Sequence, residues 1–184
     1  MVASSLEKLE EIYDIDIHWR SFELRPTGSP PISPEYLKRI EASRPMFDKR
    51  AREQYGLEIN SGPFGIDSRP ALIADKYAES QGKGDVFHKA VMDAYWQQAR
   101  SIDDKNVLIE IAEHVGLNTE NFETVLNDQT YNAEVSADID LAREYRLDGV
   151  PALIFAEKYL VMGAQPYETL KQVVEKVQEE EGEM

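Results

Sequence analysis

Between Ala3 and Tyr13 the apolar residues Leu6, Leu9, Ile12 and Tyr13 recur at helical spacing, with Glu7, Glu10 and Glu11 on the wet side and Ser4 or Ser5 available to cap. The period then changes. Ile15, Ile17, Trp19 and Ser21 alternate with Asp16, His18 and Arg20, and Phe22 and Leu24 carry apolar character to Pro26. That alternation, ended by a breaker, predicts a β-strand over about 15–24. Thr27 to Pro31 reads as loop, and Ser33-Pro34-Glu35 opens a helix with proline in its first turn. From Pro34 to about Leu147 the pattern is helical, broken at Gly56 to Pro63, Gly82 to Gly84, Ser101 to Asp103 and Gly116 to Asn118, which predicts five or six helices. Ser101 to Asp104 and Asn118 to Glu120 are capped starts, and the last of these helices runs from Asn132 to Tyr145. Two short strands, Ala152 to Phe155 and Tyr159 to Met162, precede a helix from about Pro166 that turns Leu170, Val173, Val174 and Val177 inward. The order helix, strand, helical block, strand, strand, helix is α/β with a nested helical insertion.

Composition narrows what such a fold can do. With 184 residues and 42% hydrophobic content the chain has the size of one domain and enough apolar material for a core. Its 20 Lys and Arg against 35 Asp and Glu give a net charge of −15, which repels nucleic acid and anionic membranes, so neither is expected as a partner. Part of that acidity is a tail of Glu179, Glu180, Glu181 and Glu183, read as a frayed, solvated helix end. No apolar run reaches the ~18 residues of a membrane span and the first residues lack a basic region followed by an apolar one, so a cytoplasmic location is expected with Met1 as the start.

The most consequential count is zero: the sequence contains no cysteine, and hence no disulfide, no thiolate nucleophile and no Cys-ligated metal. His18, His88 and His114 sit far apart on different predicted elements, which makes them structural rather than metal ligands. Asp103-Asp104 marks a helix start and Asp138 with Asp140 a polar helix face, both without the remaining ligands of a calcium loop. Gly82-Lys83-Gly84 is too short for a phosphate loop. No metal and no cofactor is expected. Trp19, Phe22, Trp96 and Phe155 are assigned to core space.

The segment Asp148-Gly149-Val150-Pro151-Ala152-Leu153-Ile154-Phe155, followed by Gly163-Ala164-Gln165-Pro166, resembles the cis-proline loop and last hairpin of DsbA-like thioredoxin-fold oxidoreductases, especially the FrnE-like, predicted dithiol-disulfide isomerase branch. The likeness covers nearly the whole chain in order. Trp19 to Pro26 is similar to the family's "WRPFELRP", with Ser21 in place of proline. Asp67 to Leu72 resembles the start of the helix after the insertion loop, Phe87 to Trp96 the helix "FHEALFRAYF", and Ala112 to Leu117 the segment "AEEAGLD". The resemblance implies a thioredoxin-like part formed by residues 1–32 and 148–184 and an inserted helical subdomain over 33–147. It further implies a cis bond before Pro151 and a substrate-binding role for Val150 and Pro151, with the Val150 backbone pairing with an extended peptide, a thiol substrate or glutathione.

The departure from the family is at the amino end. There, a buried first strand runs into Cys-Pro-Trp-Cys-Tyr, and Met1 to Leu6 match the part of the helix just after that motif. By the family's arrangement the absent strand is central, lying between the strand at 15–24 and the one at 152–155, and its loss leaves two rows of backbone groups unpaired at about 1–3 kcal/mol for each buried one. Three arrangements answer this: Met1 is an internal methionine of a longer protein, the outer strands close up and pair, or a second copy covers the edges, and a homodimer is expected. No catalytic residue is assigned. The function implied is that of a protein disulfide oxidoreductase or isomerase family member, redox-inert without a thiolate. The alternatives are a non-catalytic, chaperone-like peptide-binding module and a glutathione-dependent isomerase or transferase similar to 2-hydroxychromene-2-carboxylate isomerase. In the last case Ser4 and Ser5 are candidates to stand in for the first cysteine, although they lie about a turn beyond its place and capping is the simpler role.

Overall fold

A computed structural model describes residues 2–182. Its elements are α1 (Val2–Glu10), α2 (Pro34–Tyr55), α3 (Arg69–Ser80), α4 (Gly84–Trp96), α5 (Lys105–His114), α6 (Phe122–Leu126), α7 (Gln129–Glu144), β1 (Ala152–Phe155), β2 (Tyr159–Met162) and α8 (Tyr167–Gly182). Six helices therefore fill the stretch between Pro34 and Leu147, and the breaks fall where glycine and capping residues interrupt the pattern. Ser33 accepts the Tyr36 N–H at the start of α2, Asp104 the Asn106 N–H at α5, and Asp128 the Thr130 N–H at α7. Asp128 sets the start of α7 ahead of the expected Asn132. Among the described residues no helix is long and apolar enough to cross a membrane.

Among the described residues two apolar cores form. The larger, from α3, α4, α5 and α6, buries Ala71, Ala74, Ala78, Val91, Leu108 and Ile111 around Phe87 and Phe122, with small alanines on α3 letting the neighbouring helices approach. The second buries Leu6 and Leu9 of α1 against Leu170 and Val174 of α8, and half-buries Ile15, Ile17, Trp19, Leu153 and Phe155 around them. It joins the two ends of the chain.

The hairpin pairs antiparallel, with Leu153 opposite Val161 and Ile154 opposite Leu160. Strand alternation sends Leu153, Phe155 and Val161 toward α1 and α8, while Ile154, Leu160 and Met162 remain 36%, 49% and 38% exposed.

The stretch 15–24 corrects the expectation of a strand. Its burial does alternate, with Ile15, Ile17 and Trp19 half-buried, Ser21 buried, and Asp16, His18 and Arg20 exposed. Yet among the described residues it joins no sheet, and no backbone–backbone hydrogen bond involves 14–25. The side-chain period is satisfied by the core; the ladder is not. Direct pairing of this stretch with β1 is thus not the arrangement adopted.

Three smaller expectations also shift. Ser4 and Ser5 lie within α1 rather than at its cap, and Ser5 is buried. Trp96 is 39% exposed, set edge-on to Tyr95 at a 5.0 Å centroid distance, rather than buried in a core. The acidic tail is helical to Gly182, and Glu180 accepts hydrogen bonds from Lys158 and Tyr159 of the hairpin; those two bonds, the lysine's first, hold its carboxyl below the usual range. Glu183 lies outside the described residues.

Candidate functional site

α7 ends at Glu144, and Arg146, at φ 56°, turns the chain toward the loop that leads to β1. The loop presents Val150, 50% exposed, ahead of a half-buried Pro151, and the bond between them is cis. The Gly163 N–H donates to the Pro151 carbonyl at 2.8 Å, which fixes the phase of the hairpin. In an antiparallel ladder bonded pairs recur every second residue, so Leu153 and Phe155 face β2 while Ala152 and Ile154 direct their N–H and C=O groups away from it. Val150 stands at the head of that outward row. The sequence-derived site residues, Val150 and Pro151, are therefore adjacent at an open edge.

The other extended stretch is held by side chains. Asp138 of α7, 6% exposed, accepts the Ser21 N–H at 2.9 Å, and Lys76 of α3, 5% exposed, lies 2.9 Å from the same carboxylate. Arg20 approaches its second oxygen at 3.2 Å. Burial pushes the Asp138 carboxyl upward, but the Ser21 N–H and the hydrogen bond and charge of Lys76 outweigh it and hold the group below the ordinary carboxylate range. Burial likewise opposes the Lys76 ammonium, and its bonds to Asp138 and Glu79 raise it regardless. Two residues on, Glu23 pairs with Arg69 at 3.2 Å, and Arg69 also donates to the Asn132 carbonyl and the Ser136 hydroxyl of α7. Trp19 stacks on His88 with centroids 4.1 Å apart, and His88 Nδ1 is 3.4 Å from Asp75.

Sequence reasoning missed this clamp. The expected polar face of Asp138 with Asp140 divides, since Asp140 is exposed beside Arg143 and Asp138 is buried. The signal was present: Val135, Asp138 and Ala142 are the buried residues of α7, at spacings of three and four, so Asp138 occupies the apolar stripe. Lys76 similarly interrupts the buried stripe of α3.

Ser4, Ser5 and Lys8 of α1 line a groove with Gln54 and Tyr55 at the end of α2 and Pro166 and Tyr167 at the start of α8. The Tyr55 hydroxyl donates to the carbonyls of Ala164 and Gln165, and Arg50 donates to that of Ala164 at 2.6 Å, so α2 is tied to the turn after β2. Among the described residues no group of three His, Cys, Asp or Glu is placed to hold a metal ion.

Comparison with known proteins places this architecture. Residues 1–175 match the family described as DSBA-like thioredoxin domain. The YwbO protein of Bacillus subtilis is 30% identical over 128 residues, 64% of this chain and 60% of that protein. The ClpXP adapter protein SpxH of the same organism is 30% identical over 112 residues, 56% of this chain and 38% of its own length. The match thus spans less than two thirds of either relative. Among solved structures, a probable DsbA oxidoreductase from Streptomyces coelicolor superposes with a TM-score of 0.84 at 24% identity, covering 97% of this chain and 83% of that one. A 2-hydroxychromene-2-carboxylate isomerase gives 0.80 at 18% identity over 99% and 91%, and the cytosolic disulfide reductase DsbM of Pseudomonas aeruginosa, solved with GSH, gives 0.57 at 20% over 94% and 92%. At such identities these structures establish the fold alone. With the match running over residues 1–175, the chain belongs to the DSBA-like thioredoxin domain family.

Proposed function

We propose that this chain is a FrnE-like member of its family that works in the cytoplasm as a homodimer and holds an extended peptide or thiol substrate at Val150 and Pro151 without itself carrying out thiol-disulfide exchange. The observation that carries the reading is the open row headed by Val150, half-exposed, with the outward backbone groups of Ala152 and Ile154 behind it. An extended peptide meets such a row by strand addition, where main-chain hydrogen bonds supply affinity and alternate side chains supply selectivity. The exposed Ile154, Leu160 and Met162 offer apolar contact beside the row, and the net charge of −15 favours neutral or basic peptides over acidic ones. The lack of any thiolate supports the absence of exchange, since a thiolate must attack a disulfide sulfur in that reaction. The cytosolic DsbM neighbour supports the location.

Titration of an unfolded, cysteine-free peptide followed by anisotropy tests the reading. Saturable binding that Pro151→Ala weakens by about tenfold is expected, together with no insulin reduction by clean protein and elution as a dimer in sizing. Peptide binding indifferent to Pro151→Ala, or measurable insulin reduction, would sink it. Saturable heat with glutathione and none with peptides would replace it with the glutathione-dependent alternative.

A further inference from the structure

The groove between α1, α2 and the start of α8 has a volume of about 350 Å³, the size of a small-ligand site, and its chemistry is not used by the peptide edge. Lys8 lies on its wall and meets no carboxylate among the described residues, although acidic residues outnumber basic ones by 35 to 20. Ser5 lines the same groove at 4% exposure, and its hydroxyl has no hydrogen-bond partner among the described residues. The Ser5 oxygen is not sealed from solvent, so the hydroxyl can donate to a group seated in the groove. Opposite stand Pro166 and Tyr167, whose rings supply apolar surface. The α2 wall is braced rather than free, because the Gln54 side-chain oxygen accepts from Arg50 at 3.0 Å and the Tyr55 hydroxyl is engaged with the turn after β2.

We propose that this groove binds a small organic carboxylate with an apolar body, the Lys8 ammonium and Ser5 hydroxyl taking the carboxylate and the Pro166 and Tyr167 rings the apolar part. A lysine and a hydroxyl both donate, so an anionic acceptor satisfies both at once, and an ammonium paired with a carboxylate is stronger than a neutral hydrogen bond. The same chemistry is offered by a free acid and by the C-terminus of a peptide. The site does not depend on the peptide edge, and Pro151→Ala leaves it intact.

The test titrates the whole chain with N-acetylphenylalanine, with its amide, and with the tripeptide Ala-Ala-Phe, followed by amide chemical shifts in the 15N spectrum. The acid is expected to bind saturably, with shifts centred on Ser5, Lys8 and Gln54, and the amide to bind at least about tenfold more weakly. Lys8→Gln, at an exposed position, abolishes that preference, and Ser5→Ala reduces acid affinity by about three- to tenfold with the thermal midpoint unchanged. Tighter binding of the tripeptide than of the acid identifies a peptide end as the source, and the reverse a free acid. Equal affinity for acid and amide, a preference that survives Lys8→Gln, or shifts confined to other parts of the chain would overturn the assignment.

Discussion

The two apolar cores are built from similar residues and completed to different degrees. Among the described residues, the core around Phe87 buries eleven side chains drawn from the stretch 71–122, whereas the core around Leu9 buries four, drawn from both ends of the chain. The difference follows from where backbone groups find partners. Every element of the first core is a helix, which closes its hydrogen bonds within itself and needs only side chains to pack. The second core leans on extended segments, which need neighbours in space, and Ile15, Ile17, Trp19, Leu153 and Phe155 stay half-buried beside it. Side-chain clamps from α3 and α7 take over part of that work: Asp138 holds the Ser21 amide and Arg69 holds Glu23.

The largest expected effect tests the completed core. Phe87→Ala removes a fully buried ring and is predicted to cost about 3–5 kcal/mol in urea unfolding. Ile17→Ala, in the half-covered core, is predicted to cost only about 1 kcal/mol. Equal costs would erase the contrast.

Next comes the clamp. Asp138→Ala leaves the Lys76 ammonium buried with Glu79 as its one remaining carboxylate among the described residues, and a loss of about 3 kcal/mol is expected. Its pH dependence has a fixed sign. The folded Asp138 carboxyl is depressed, so its contribution is present above the ordinary carboxylate range and is lost as pH falls through the folded value. The raised Lys76 contributes below the ordinary lysine range and loses its contribution as pH rises through its folded value. Asp138→Asn should flatten the acid limb of a stability–pH curve. An acid limb that is unchanged would mean the clamp is not what titrates.

Much of this contrast could be read from the residues alone. Helix breaks at Gly56, Gly82 and Gly116, and both hairpin strands to the residue, follow from glycine, capping and alternation, which act over a few neighbours. The alternation at 15–21 correctly gave the buried face and wrongly gave a strand, because period two reports which side chains meet a core and is silent on whether a backbone partner exists. Val150 and Pro151 were legible as neighbours in one motif. The Asp138–Lys76–Ser21 clamp was not, since it joins positions more than fifty residues apart and its one local sign is a charge within each helix's buried stripe. The groove at Lys8 draws on three separated segments and had no sequence signal beyond the two serines.

The finest comparison lies within the extended segments themselves, and hydrogen exchange can draw it amide by amide. Leu153 and Phe155 face β2 and should be protected, while the Ile154 amide between them points away and should exchange at least about tenfold faster. Along 15–21 the amides of Ile15, Ile17, His18 and Trp19 have no backbone partners among the described residues and should exchange as fast as that of Ile154, whereas the Ser21 amide, bonded to the buried Asp138 carboxylate, should be slow. Within 15–21, Asp138→Ala should release Ser21 alone. A peptide seated on the open row should slow Ile154 and leave Leu153 unchanged, which separates strand addition from general stiffening. Protection at Ile17 and Trp19 equal to that at Leu153 in the unliganded protein would mean that the extended stretch has already found a backbone partner, and with that the distinction between a finished core and an open one would fall.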